Sequence, residues 1–393
     1  MVVLSKELFY EKVLKEFTCN HLHTWEGNCL KANFDLCCDV FLGSLKFFIP
    51  IYVIRAVLDY RKYKDKKVVL KKFVQNEIRS SFYGMLLGSL LLGSNCVLCR
   101  LTGRMNYYNI GLISGLVSGL GLLVETKENK ILDTLIFFNL LVESAFQNID
   151  YHQIVNLTVT KQTIFYMLIS SALMYMIQKK NHKLDFVHFW FYTPKNFMNL
   201  CDENYTCYHK NDCYDYIFKK SLKYFGLGYA FSIIKKLIPK MLSLVQKPQN
   251  IFGILVNKDN VRFGAFIGGY VCLYRFIICH LLKAKIIDKK YFGAIAGFLA
   301  GGTYAVAPNI QVLVVGITTL LQVFYHQISQ ECQIKNSAVL QQLVYMVSHA
   351  ILIHLAFVSV DTCPKYYINM INTATRNLYK KLYNNLVIEM ILS

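Results

Sequence analysis

Gly111-Leu-Ile-Ser-Gly115-Leu-Val-Ser-Gly119 returns further down the chain as Gly293-Ala-Ile-Ala-Gly297-Phe-Leu-Ala-Gly301, a glycine at every fourth position in an apolar run both times. Working outward, Gly84, Gly88 and Cys99 recur as Gly264, Gly268 and Cys279, each 180 positions later, and Tyr166-Met167 recurs as Tyr345-Met346. Self-similarity at a fixed offset is the mark of a duplicated unit. Glycines at i, i+4 and i+8 line one face of a helix and let a second backbone approach closely. Gly84, Gly88, Gly111, Gly115 and Gly119 in one copy, and Gly264, Gly268, Gly293, Gly297 and Gly301 in the other, are therefore candidate helix-packing positions. The two glycine triples read as a helix–helix seam.

The chain has 393 residues, of which 54% are hydrophobic and 17% charged, and its mean hydropathy is +0.34. That composition belongs to a membrane protein rather than to two or three soluble domains. Segments 81–101, 107–124, 162–178, 263–282, 291–310 and 340–360 hold at most one charged residue each, near the roughly 20 residues a spanning helix needs. Segments 131–149 and 310–328 are weaker alone, but the repeat supplies them as partners. No alternating pattern supports strands. The expected fold is an all-α multi-pass membrane protein with two tandem four-helix transmembrane repeats, eight spans in all. Each repeat follows a Cys/His-rich head and an amphipathic or broken helix. The expected boundaries are 1–79 for the first head with its interfacial helix, 80–180 for the first repeat, 181–260 for a linker with the second head, 261–360 for the second repeat and 361–393 for a basic tail. Residues 40–58, with Lys46, Arg55 and a central Pro50, read as interfacial or broken rather than as a clean span. If they and their counterpart crossed, the copies would be inverted instead of parallel.

Formal charge is +19, concentrated at 61–79, in the linker and in the tail. The positive-inside tendency makes that face cytosolic, although Lys283, Lys285, Lys289 and Lys290 fall opposite. Basic residues beside a bilayer bind anionic headgroups at roughly 1 kcal/mol each, and no nucleic-acid motif competes. Residues 1–17 lack the unbroken apolar core of a cleaved signal. Several of the 13 cysteines lie inside apolar segments as small hydrophobes, so the thiols read as reduced. The sequons at Asn156 and Asn204 then read as chance matches.

Ionisable groups inside apolar spans are costly and face a protein interior or a wet cavity. Glu143 and Arg275 stand well inside their segments with opposite signs, as an interhelical pair or as the lining of a lipid or solute path. Asp133, near a helix start, reads as a cap. Cys19, His21, His23 and Cys29 in the first head, and Cys201, Cys207, His209 and Cys213 in the second, each offer four soft ligands, enough for tetrahedral zinc. Their spacings match no common finger and differ from one another, so the reading is interfacial packing with no metal and no cofactor. There is no Gly-x-Ser-x-Gly elbow, His-Glu-x-x-His, phosphate loop or dinucleotide fingerprint, and no enzyme is expected.

His23-Thr24-Trp25 followed by Cys29, with Ser44-Leu45-Lys46 and Pro50-x-Tyr52-x-Ile54, resembles the N-terminal Cys-rich signature of the transmembrane protein 135 (peroxisomal membrane protein 52) family. Asn257-Lys258-x-Asn260-x3-Gly264-Ala265-Phe266-x-Gly268 and Ala296 to Gly301 are similar to that family's C-terminal half. A remoter similarity is to the four-span proteins of the Tim-type mitochondrial import pores. The resemblance implies a protein of mitochondrial and peroxisomal membranes that regulates mitochondrial fission, peroxisome organisation and lipid metabolism. Its expected partners are membrane lipids and a dynamin-type fission GTPase. The rival reading is a transporter or lipid and cholesterol conduit between the repeats.

Overall fold

A computed structural model describes residues 9, 18–60, 66–180, 212–237, 250–284, 288–331 and 338–384. Among these there is no strand. Thr18 opens a single turn, α1 (Cys19–Leu22), and α2 runs unbroken from Cys29 to Tyr60. It is followed by α3 (Lys66–Thr102), the short irregular α4 (Asn109–Val124), α5 (Lys127–Tyr151) and α6 (Val159–Lys180). Then come α7 (Cys213–Leu237), α8 (Asn250–Leu255), α9 (Lys258–Ala284), α10 (Phe292–Gly301), α11 (Ile310–Glu331), α12 (Ala338–Val358) and α13 (Lys365–Ala374).

α4 and α10 are short and carry a glycine at every fourth position, although α3 stays helical through Gly84, Gly88 and Gly93. Each glycine costs a helix interior about 1 kcal/mol relative to alanine. The short α4 is pieced together from a π turn at Asn109–Ile113, one α turn at Ser114–Ser118 and a 3₁₀ turn at Gly119–Val124. The α5 start is conventional: the Thr126 hydroxyl accepts from the Asn129 N–H, with Glu128 in the first turn, where the helix dipole favours a carboxylate. Asp133 lies seven residues beyond that cap and is not itself a capping group.

Among the described residues, five helical stretches are long and apolar enough to cross a membrane: Cys29–Val57, Lys66–Thr102, Ile251–Ala284, Ile310–Ser329 and Ala338–Val358. Only 28% of the apolar window of α2, and the same share in α3, is buried by protein. The rest is an apolar surface that a soluble monomer does not leave in water. In α6 the apolar run is curtailed by Lys161 and Gln162, and Asn109–Val124 is shorter than a span.

Residues 40–58 lie inside the continuous helix α2, which is long and apolar enough to cross, so the expected break at Pro50 is not there. Pro50 removes one N–H from the ladder, and on the same helix Lys46 is exposed and Arg55 partly exposed. The counterpart α7 has the length but is not among the helices apolar enough to cross.

The chain divides into two compact units, Met1–Val155 with Asn336–Ser393, and Asn156–Lys335. The division cuts across the sequence repeats: α6, the last helix of the first copy, belongs to the second unit, and α12, the last helix of the second copy, belongs to the first. In the first unit α2 packs along α3, α3 touches α4, and α12 covers both α4 and α5. In the second unit α7 packs along α9, α9 touches α10, and α6 covers both α10 and α11. In these contacts the two units have the same internal arrangement, while the first also packs α13 against α2 and the second α8 against α7.

Candidate functional site

The first head is built by short-range hydrogen bonds. His21 turns back to Thr18, its Nδ1 accepting from the Thr18 backbone N–H at 3.1 Å, and so works as part of the cap on α1. His23 is different. Its ring is 1% exposed, and Nδ1 lies 2.7 Å from the Glu26 carbonyl oxygen, which can only accept, so Nδ1 carries the proton. Nε2 is thereby left as a lone pair, buried with no hydrogen-bond partner. Asn28 caps the next helix, its Oδ1 accepting from the Leu30 N–H at 2.9 Å, and Lys31 pairs with Glu26 at 2.5 Å. That pairing, led by the hydrogen bond from Lys31, lowers the pKa of the Glu26 carboxyl. The loop 23–28 is thus held at both ends, which fixes Cys29 at the first position of α2.

Cys19 Sγ stands 3.6 Å from Cys29 Sγ, unbonded, and Cys96 arrives from α3 with its side chain buried. The ligand atoms of Cys19, His23, Cys29 and Cys96 all lie within 4.8 Å of one another. Arg100, one turn beyond Cys96, donates to Cys29 Sγ at 3.5 Å. Burial and then the neighbouring Cys29 push the Cys19 thiol up to about 11, because a thiolate there has no water to stabilise it. The cluster occupies the end of the antiparallel α2–α3 pair opposite to the one that carries Lys66, Lys67, Lys71 and Lys72. Of the first-head residues singled out in the sequence, the structure brings together Cys19, His23 and Cys29, sets His21 aside as a cap, and adds Cys96. In the second head Cys201, Cys207 and His209 fall outside the described residues, and Cys213 opens α7.

The glycines lie at close crossings. A Cβ on Gly111 would sit 2.5 Å from His354 Cα, on Gly115 2.7 Å from Ala350 Cα, and on Gly119 2.9 Å from Met346 Cα, all on α12. In the second unit a Cβ on Gly293 would sit 2.8 Å from the Met174 carbonyl oxygen, on Gly297 2.7 Å from that of Ser170, and on Gly301 2.7 Å from Met167 Cα, all on α6. Gly84 and Gly88 face Ser44 and Val40 of α2; Gly264 and Gly268 face Phe225 of α7. Each triple therefore receives the last helix of the other copy.

Glu143 is buried in α5 and accepts from Gln147 Nε2 at 3.3 Å. Arg275, 2% exposed in α9, lays its guanidinium 4.9 Å from the Tyr216 ring centroid and 6.0 Å from that of Tyr224, both on α7. Glu143 belongs to the first unit and Arg275 to the second, and each makes these contacts within its own unit.

Sequence reading did not reach the polar knot at the junction of α2, α3 and α5. Ser80 donates to Glu125 Oε1 at 2.5 Å and lies 2.6 Å from the Tyr52 hydroxyl. Asn129 Nδ2 donates to Tyr52 at 3.0 Å and to Glu125 Oε2 at 2.9 Å, and Arg55 reaches Asn129 at 3.2 Å and Glu128 at 2.9 Å. Tyr83 and Tyr345 share a buried hydroxyl contact.

These features define an all-α multi-pass membrane protein whose first unit carries a buried Cys/His cluster where two long helices end. Residues 16–149 match the family model of the N-terminal cysteine-rich region of Transmembrane protein 135, as the residues at 23–54 lead one to expect. No solved structure matches the chain.

Proposed function

We propose that this chain is a non-enzymatic protein of mitochondrial and peroxisomal membranes that regulates mitochondrial fission and peroxisome organisation, with consequences for lipid metabolism. The observation that carries the reading is the family match over residues 16–149. The basic start of α3, with Lys66, Lys67, Lys71, Lys72 and Arg79, supports it physically, because such an end attracts anionic headgroups at roughly 1 kcal/mol per residue. It would equally meet an acidic surface on a dynamin-type fission GTPase. The test is fractionation of the tagged protein together with mitochondrial length in depleted cells, re-expressing wild type or a variant with Lys66, Lys67, Lys71 and Lys72 changed to Gln. Recovery of normal length by wild type alone is expected. Residence in another membrane with unchanged mitochondrial length would overturn the reading.

A solute or lipid conduit is the second reading, favoured by Glu77 on α3, whose two carboxylate oxygens are both buried without a hydrogen-bond partner. Unpaired carboxylates near membrane depth are retained for function more often than for stability. Sterol and small-solute flux in liposomes that falls in Glu77→Gln and Glu143→Gln would favour it, and absent flux from folded wild-type protein would remove it.

A further inference from the structure

We propose that Cys19, His23, Cys29 and Cys96 form a four-coordinate zinc site that fastens the segment before the first long helix to the far end of the second. The inference does not depend on the organelle reading above. Three observations carry it. The four ligand atoms lie within 4.8 Å of one another, a closed set of three sulfurs and one imidazole nitrogen, which is a common donor set for structural zinc. The Cys19–Cys29 sulfur separation of 3.6 Å is too long for a disulfide and close to the about 3.8 Å that two thiolates adopt around one tetrahedral zinc with Zn–S near 2.3 Å.

The third observation is His23. A buried imidazole nitrogen without a partner is costly, and here it is created by the ring's own Nδ1–H···O=C bond to Glu26, the outer contact that orients zinc-ligating histidines and fixes their tautomer. Arg100 beside Cys29 Sγ supplies positive charge to a set that carries one net negative charge with three thiolates on a divalent ion. Zinc is favoured over magnesium or calcium because no oxygen ligand is among the four donors. The metal would hold α1 and the start of α2 against the last turns of α3, closing that end of the pair.

Metal content of full-length protein purified in detergent under reducing conditions, without added chelator, tests the site. Each of Cys96→Ser and His23→Ala should lose one equivalent of zinc per chain relative to wild type, while His21→Ala and Cys38→Ser, at a capping and an exposed position, should keep it. Because a ligand variant can fail to fold, the wild type is also stripped and reloaded with cobalt. A tetrahedral visible spectrum with thiolate-to-cobalt charge-transfer bands is expected, displaced by equimolar zinc. Zinc content unchanged in both ligand variants would overturn the proposal. So would a folded, reduced wild-type protein that is free of metal and gives no cobalt bands.

Discussion

The two units share a frame and differ in what they bury in it. In both, a triple of glycines on a short helix receives the last helix of the other copy, and in both a hydroxyl on the first long helix meets a polar residue on the second. In the first unit the contact is Tyr52 to Ser80 at 2.6 Å; at the positions 180 later it is Ser232 to Asn260 at 2.8 Å. The residues have changed and the contact has stayed, which identifies it as part of the frame. Ligands behave in the opposite way. Cys96 corresponds to Phe276, which is 45% exposed, so the second unit lacks the residue that completes the first unit's Cys/His set. Among the described residues the packing device stands in both halves and a buried Cys/His cluster in one.

If the seams are equivalent, Gly115→Leu and Gly297→Leu should be equally severe. Each leucine would begin 2.7 Å from a backbone atom of the crossing helix, which cannot rotate away as a side-chain tip can. Overpacking of this kind costs typically 1–3 kcal/mol and more where the backbone is the obstacle. Both variants should lose most of their monodisperse peak in size-exclusion chromatography and fall in steady-state level. A variant that keeps wild-type abundance would mark its seam as incidental and break the equivalence.

A smaller effect separates the halves. Ser80→Ala removes a donor to Glu125 and a partner of Tyr52, stranding a carboxylate oxygen inside the first unit. Ser232→Ala removes one bond to Asn260, whose amide nitrogen still donates to the Ile254 carbonyl at 2.6 Å. Losing a bond to a charged group costs about 1.5–3 kcal/mol and a neutral one about 0.5–1.5 kcal/mol. The midpoint of thermal aggregation in detergent should therefore drop further for Ser80→Ala than for Ser232→Ala. Equal drops would show that Glu125 contributes nothing beyond the shared contact.

How far these features can be read from sequence follows from their range. The glycine triples are legible because helical spacing alone puts them on one face. Which helix fills the groove is not, since α6 and α12 have similar apolar sequences and either would satisfy the pattern. Residues 40–58 mislead on one point, since a proline within an apolar run suggests a break and α2 runs through it. Here Arg55 has a partner in Asn129, seventy-four positions away, which no local window shows. Cys96 was missed for a related reason: inside an apolar helix a cysteine looks like any small hydrophobe, and only the fold brings it to Cys29. The choice of His23 over His21 rests on which ring the turn at Thr18 consumes.

The smallest predicted effect concerns the other pair of corresponding positions, Asn95 and Arg275. Asn95 is buried and donates to the Leu91 carbonyl of its own helix at 3.0 Å, whereas Arg275 spreads its guanidinium over Tyr216 and Tyr224. A planar cation gains from a ring face about 0.5–2 kcal/mol, increasing with desolvation, and lysine keeps the charge but loses the stacking plane. Arg275→Lys should thus lower the thermal midpoint slightly, by the equivalent of about 0.5–1 kcal/mol, and Tyr216→Leu should remove most of the difference between arginine and lysine. If Arg275→Lys remained equally destabilising in the Tyr216→Leu background, the ring would not be what distinguishes arginine from lysine at this position, and the second unit's buried charge would need another cause.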